Sequence, residues 1–260
     1  MPTRTALITG GSAGIGFELA KQFAAHGQDL VLVARNTDQL EAAAGKIEGK
    51  YGVSVRTISM DLADADAPQQ LFDSLSGDGV EIHALVNNAG FGLGGEFADT
   101  SIERELDMIQ VNVASVVHLT KLFLPPMLKR KEGRIMNVAS TAAFQPGPLH
   151  SIYYATKAFV LSFSEAIHEE LRNTGVTVTA LCPGPTQTNF FERAGTMKSR
   201  LFTQAAVASA EDVARFGYRA MMKGQSVAIP GWGNKLMVQA ERVTPRVIVT
   251  KLARIVQENR

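Results

Sequence analysis

Apolar residues fall into two alternating rhythms along the chain. Short β-branched or leucine-rich runs occupy 5–9, 30–34, 54–59, 82–87, 133–139, 176–181 and 226–229. Between them lie stretches with helical spacing, such as 16–26, where Phe17, Leu19, Ala20, Phe23 and Ala24 share one face. Strands that are apolar at successive positions are buried on both sides, so the alternation predicts a parallel sheet between two helical layers. No linker, repeat or low-complexity tract interrupts it. The pattern therefore predicts an α/β fold, a single doubly wound Rossmann domain over 1–260 with about seven strands. Residues 185–210 carry no strand signal and are expected to form an excursion over the sheet edge, a substrate lid.

Composition narrows the partners. Hydrophobic residues make up 45% and charged residues 20%, enough for a core and too little charge for a disordered chain. A net charge of +1 supplies no general attraction to a phosphodiester backbone, so nucleic acid is not expected. The lone Cys182 cannot close an intramolecular disulfide, and five scattered histidines lack metal-ligand spacing, so no metal site is expected. The first residues lack a signal-peptide core, and no run reaches about 18 uninterrupted apolar residues; a cytoplasmic setting is the expectation.

The glycines concentrate where a phosphate would sit. Thr9-Gly10-Gly11-Ser12-Ala13-Gly14-Ile15-Gly16 joins the first strand to the first helix. Gly10 suits a tight exit from the strand, Gly14 lets backbone amides approach a pyrophosphate, and Gly16 lets the helix pack closely. The anion would rest on the helix N-terminus. The second strand ends Val33-Ala34-Arg35-Asn36, with no carboxylate to bond a ribose 2′-hydroxyl. Arg35 there favours a 2′-phosphate and hence NADP(H) over NAD(H). Asp38 lies slightly further on and could be a helix cap instead of a ribose partner.

Acid–base chemistry centres on Tyr153 and Lys157, one helical turn apart on the same face. Bringing a phenol from about 10 to neutrality takes roughly 4 kcal/mol, and a lysine charge beside the positive ring of an oxidised nicotinamide favours that change. Tyr154 is also within helical reach of Lys157 and is read as a packing residue.

These motifs, with Asp61-Leu62, Asn87-Asn88-Ala89-Gly90, Asn112, Ser140 and Pro183-Gly184-Pro185-Thr186-Gln187-Thr188, occur in an order that resembles the short-chain dehydrogenase/reductase family. The glycine spacing Gly-x-x-x-Gly-x-Gly is similar to that family's. The resemblance implies four catalytic residues. Tyr153 is the tyrosine of Tyr-x-x-x-Lys, thirteen residues beyond Ser140, which would orient the substrate carbonyl. Asn112 would join a water-mediated proton relay with Lys157, which would also bind the nicotinamide ribose. Cofactor contacts are implied for Gly10, Ser12, Gly14, Ile15, Gly16, Arg35, Asp61, Leu62, Asn88, Ala89, Gly90, Pro183, Gly184, Thr186 and Thr188. Within these, Asp61 and Leu62 would meet adenine, Thr186 the nicotinamide carboxamide through its backbone, and Thr188 the carboxamide or phosphates. Ala13 stands where the family often has a second basic residue. A homo-oligomer, dimer or tetramer, is also implied.

Substrate selection is expected in 91–96, 141–151 and 187–202, which carry Phe91, Leu93, Phe144, Pro146, Pro148, Leu149, Phe190, Phe191, Met197, Leu201 and Phe202. Such loops suit an apolar ketone or acyl chain better than a sugar. His150 and Arg193 could bind a polar head or face solvent. The segment 235–260 has six Lys/Arg against two Glu and departs from bacterial 3-oxoacyl-carrier-protein reductases. Its Val247, Ile248, Leu252, Ile255 and Val256 form an apolar helical stripe, with Lys251 and Arg254 elsewhere. Packing on the body or a subunit interface is favoured over contact with an anionic membrane. The expected function is NADP(H)-dependent reduction of a ketone or aldehyde. A 3-oxoacyl thioester reductase and a non-catalytic dinucleotide-binding regulator are the alternatives.

Overall fold

The computed structural model describes residues 4–188 and 207–258. Its strands are β1 (Thr5–Thr9), β2 (Asp29–Ala34), β3 (Val55–Ser59), β4 (Ile82–Asn87), β5 (Gly133–Val138), β6 (Val176–Leu181), β7 (Thr186–Gln187), β8 (Ala208–Ser209) and β9 (Val227–Ala228). Seven form one parallel sheet in the order β3-β2-β1-β4-β5-β6-β9. The order reverses between β1 and β4, which opens a crevice at the strands' C-terminal ends.

Period-two alternation splits the core. Ile8, Leu32, Val86 and Met136 point to one face, packed by α1 (Gly14–Ala25), α2 (Thr37–Tyr51) and α7 (Ala210–Met222) through Leu19, Phe23, Leu40, Val213 and Met221. Leu7, Val31, Leu85 and Ile135 point to the other, against α3 (Ala67–Gly77) and α5 (Ser115–Arg130) through Leu71, Leu75, Leu119 and Phe123. Helix α6 (Ser151–Glu170) adds Val160 and Leu161 against Ala139 and Ala180. The predicted single Rossmann domain is thus the observed fold.

Four expectations change. Within 185–210, β7 and β8 pair as a small second sheet, too short for periodicity to reveal; 189–206 lies outside the described residues. Asn36, not Asp38, caps α2, its Oδ1 accepting from the Gln39 amide at 2.8 Å. The segment after β9 forms two helices, α8 (Trp232–Val243) and α9 (Arg246–Gln257), divided at Pro245. Finally, α9 meets the body through Val249, Ala253 and Gln257, while Val247, Ile248, Leu252, Ile255 and Val256 face outward. Both sides of the helix carry apolar groups, so the stripe alone did not identify the contact side.

Helix α4 (Ile102–Ile109) runs through a π-turn (Gln110–Ala114) into α5. The 29-residue rod is long and apolar enough to cross a membrane, yet Met108, Leu119, Phe123 and Met127 on it are buried in the fold.

Candidate active site

Three strand-end loops converge on the first helix. Gly10 and Gly14 have φ of +65° and +56°, and a Cβ on Gly16 would stand 2.2 Å from the Gly10 carbonyl oxygen and 2.4 Å from Asn88 Nδ2. Gly16 thus permits close contact of the helix with the loops after β1 and β4. Asn88 donates through Nδ2 to the carbonyls of Thr9 (2.9 Å) and Gly10 (3.2 Å). Thr9 Oγ1 accepts from the amides of Asn88 and Ala89, both at 3.0 Å. Across the opening, Thr188 lies against Gly14. The N-cap of α1 is Ala13, which offers no side-chain acceptor, and the first turn has no acid. Its amides are therefore left for an anion, so the cradle fits a dinucleotide pyrophosphate.

Beside the glycine turn, past the C-terminal ends of β2 and β3, Arg35 and Asp61 form an ion pair at 3.6 Å, both about half exposed. Asp61 also accepts from the Ala63 amide (3.0 Å). Leu62 is buried, and its carbonyl accepts from Ser115 Oγ (2.9 Å), which anchors this loop to α5.

The residues expected to be catalytic meet where β5 ends. Ser140 heads a 3-10 turn (Thr141–Phe144), its Oγ accepting from the Ala142 amide and donating to the Pro183 carbonyl at 3.4 Å. Tyr153, in the first turn of α6, hydrogen-bonds Ser140. Lys157 is buried with its Nζ donating to the Val138 carbonyl (2.8 Å) and lying 5.8 Å from the Tyr153 ring centre. A Cβ on Gly90 would approach Asn112 Oδ1 at 2.9 Å and Lys157 Nζ at 3.5 Å, which brings all these residues to one place.

Burial pushes Tyr153 up to about 12, a hydrogen bond with Ser140 opposing it, and pushes Lys157 down to about 8. The side chain of Asn112 bonds its neighbours on two elements: Nδ2 donates to the Phe91 carbonyl (3.0 Å) and Thr156 Oγ1 (3.1 Å), and Oδ1 accepts from the Phe91 amide (3.1 Å). It pins the loop after β4 to α6 from within the π-turn, a motif frequent at functional sites.

Beneath these groups Asn87 donates to Asn137 Oδ1 (2.8 Å) and Thr120 Oγ1 (3.2 Å), and Asn137 donates to Ser164 Oγ (2.9 Å). This buried network holds β4, β5, α5 and α6 in register. Asn137, a polar residue inside an apolar strand, was the signal available in the sequence.

A sequence model of the family described as short chain dehydrogenase matches residues 4–199. The chain belongs to the short chain dehydrogenase family. It is 39% identical over 184 residues to the human very-long-chain 3-oxoacyl-CoA reductase, covering 68% of this chain and 58% of that protein. The chain thus spans less than two thirds of the curated relatives it matches. Among solved structures it resembles a short-chain dehydrogenase from Sphingobium yanoikuyae in complex with NADPH (TM-score 0.83, 32% identity, 92% and 93% of the two chains). It also resembles a short chain dehydrogenase/reductase from Burkholderia phymatum in complex with NAD (TM-score 0.81, 27% identity, 91% and 92%).

In this short chain dehydrogenase, α8 and α9 lie beyond the matched 4–199, and they supply residues that sequence reasoning missed. Gln257 on α9 donates through Nε2 to the Tyr154 hydroxyl (2.8 Å), and Arg254 pairs with Glu96 (3.0 Å). The Tyr154 ring covers Gly147, where a Cβ would stand 2.2 Å away. Glu241 of α8 lies half-buried near Tyr154, and burial raises its carboxyl to about 7. Asn234 fills the space over Gly184 and donates to the Pro230 carbonyl (2.7 Å), so Gly184 accommodates a side chain of α8. Thr186 is buried, its hydroxyl donating to the Gly184 carbonyl (2.9 Å).

His150 does not simply face solvent: it is partly buried, and its Nδ1 bonds the Leu93 carbonyl (3.1 Å), linking the 91–96 and 141–151 loops. Phe91 and Phe144 pack against the core. Phe190, Phe191, Arg193, Met197, Leu201 and Phe202 lie outside the described residues. A groove of about 760 Å³ between α7 and α8, lined by Pro185, Phe216 and Trp232 among others, contains none of Asn112, Ser140, Tyr153 and Lys157.

Proposed function

We propose that this protein is an NADP(H)-dependent reductase of ketones or aldehydes, working in reverse as an alcohol dehydrogenase. The observation that carries the reading is the Tyr153–Ser140 hydrogen bond beside buried Lys157, at the mouth of a crevice whose first turn fits a pyrophosphate. A nicotinamide dinucleotide bound there supplies the hydride. Ser140 and Tyr153 hold the carbonyl oxygen, and Tyr153 gives it the phenolic proton as carbon is reduced. The charge left on Tyr153 is balanced by Lys157, whose orientation is fixed by the Val138 carbonyl. Reduction needs the neutral phenol and alcohol oxidation the phenolate. Oxidation is therefore the direction that gains as pH rises.

Preference for NADP(H) rests on Arg35 at a strand tip without a carboxylate. Its pairing with Asp61 is exposed and weak enough to yield to a 2′-phosphate. The expected result is a higher kcat/KM with NADPH than with NADH; the reverse order would refute the preference. The substrate is read as apolar from the sequence of the 91–96 and 141–151 loops, which carry Leu93, Pro146, Pro148 and Leu149. A second reading, reduction of 3-oxoacyl thioesters, is favoured by the named activity of the 39% identical human relative. NADPH oxidation against 3-oxoacyl thioesters, steroids and aromatic ketones separates the two. Dinucleotide binding without turnover of any carbonyl would instead favour a regulator. Cytoplasmic action as a homo-oligomer completes the reading, and the single buried thiol Cys182 is compatible with a reducing compartment.

A further inference from the structure

The two C-terminal helices turn apolar side chains toward solvent. Trp232, Leu236 and Val243 recur on one side of α8, and Trp232 and Val243 are 79% and 85% exposed. Ile248, Leu252 and Ile255 recur on one side of α9, while Val249, Ala253 and Gln257 make the contact with the body. The outward groups are thus not a spare part of the core. Their helix is already seated by another side.

The charge around them has one sign. Lys235, Arg242, Arg246 and Lys251 are exposed and form no ion pair among the described residues. The acids nearby are engaged: Glu258 pairs with Arg254 at 2.9 Å, and Glu241 is half-buried near Tyr154. A two-fold contact between copies of this surface would set its cations against one another. The outer side of α4 is different. There Ile102, Leu106 and Ile109 are interspersed with Glu103, Arg104 and Asp107, both signs of charge that a second copy can match. An anionic lipid surface accepts what α8 and α9 offer, taking apolar groups at the acyl boundary and cations at its phosphates. An exposed tryptophan is also suited to that boundary.

We propose that α8 and α9 dock this protein on membranes containing anionic phospholipid. The docking helix is the one that reaches Tyr154 and Glu96, so the membrane face adjoins the substrate crevice.

Trp232 is the chain's single tryptophan and reports directly on the contact. The full chain is mixed with vesicles of phosphatidylglycerol and phosphatidylcholine, and separately with phosphatidylcholine alone. Co-sedimentation, a blue shift of Trp232 emission and protection from acrylamide are expected with the anionic vesicles only. Salt should weaken binding several-fold. Arg246→Glu with Lys251→Glu should do the same, and Leu252→Glu with Ile255→Glu should abolish it, with thermal melting of each variant within a few degrees of the parent. No sedimentation with anionic vesicles would overturn the proposal, as would undiminished binding by the Leu252/Ile255 variant. So would variants that dissociate an oligomer while the parent ignores vesicles, because a second copy would then cover the face.

Discussion

Around Gly16 the chain closes on itself through backbone and a few side chains at strand ends, whereas around Tyr154 it is held by side chains from its far end. The proposed cofactor wall is set by Gly16 against the Gly10 carbonyl and Asn88 against Thr9 and Gly10. The proposed substrate wall depends on Gln257 reaching Tyr154 and Arg254 reaching Glu96, contacts separated by 103 and 158 residues. The difference teaches what each wall can vary. A backbone cradle for pyrophosphate tolerates no added atom, while a wall of side-chain contacts can be altered without disturbing the cradle.

Matched glycine substitutions test that contrast most severely. An added methyl meets an atom 2.2 Å away at both Gly16 and Gly147. Gly16→Ala is expected to weaken dinucleotide binding by roughly 100-fold, the upper range for overpacking a rigid site. Gly147→Ala should leave that affinity within about twofold and raise substrate KM by roughly tenfold, since it displaces only the Tyr154 ring. Fluorescence titration and steady-state kinetics read the two effects. Equal losses of dinucleotide affinity would erase the distinction between the walls.

A smaller effect is expected from Gln257→Leu, which removes the donor to Tyr154. KM should rise about fivefold, the scale of one hydrogen bond, with dinucleotide affinity unchanged. A fall in kcat alone would mean that α9 acts on the reacting groups and not on the wall.

The smallest concerns Glu241. Its carboxyl is raised by burial to about 7, so in the folded chain it is neutral at pH 5 and charged at pH 8. The unfolded chain ionises it near the usual value, so this group's contribution to stability falls as pH rises from about 4.5 through 7. Glu241→Gln should raise the melting temperature by about a degree or two at pH 8 and leave it unchanged at pH 5. Stabilisation greater at pH 5 would contradict the burial account.

The cofactor wall was largely legible in the sequence because its demands are local. A strand, a glycine turn and a helix stand consecutively, and Tyr153 and Lys157 are one turn apart. What could not be read was which neighbour each side chain finds. Arg35 gave its charge but not its pairing with Asp61. Asn112 stood out as a polar residue in an apolar helix, yet the π-turn that directs it and its bonds to Phe91 and Thr156 depend on distant packing. On the substrate wall even the sign of burial was hidden. The α9 sequence carries apolar groups on two sides, and only the position of Tyr154 selects Val249, Ala253 and Gln257 as the inner one. The phenol's surroundings show the same limit, since helical spacing gives the nearness of Lys157 and omits the burial that raises the phenol.

Paired tyrosine variants test the central assignment most directly. In single-turnover reduction of an accepted carbonyl by bound NADPH, Tyr153→Phe should lose about 10³-fold in rate, the scale of a missing general acid. Its dinucleotide affinity and melting temperature should stay at parental values, and Tyr154→Phe should keep its rate within several-fold. Surviving turnover in Tyr153→Phe, or its loss in Tyr154→Phe alone, would contradict the assignment of Tyr153 as the proton donor.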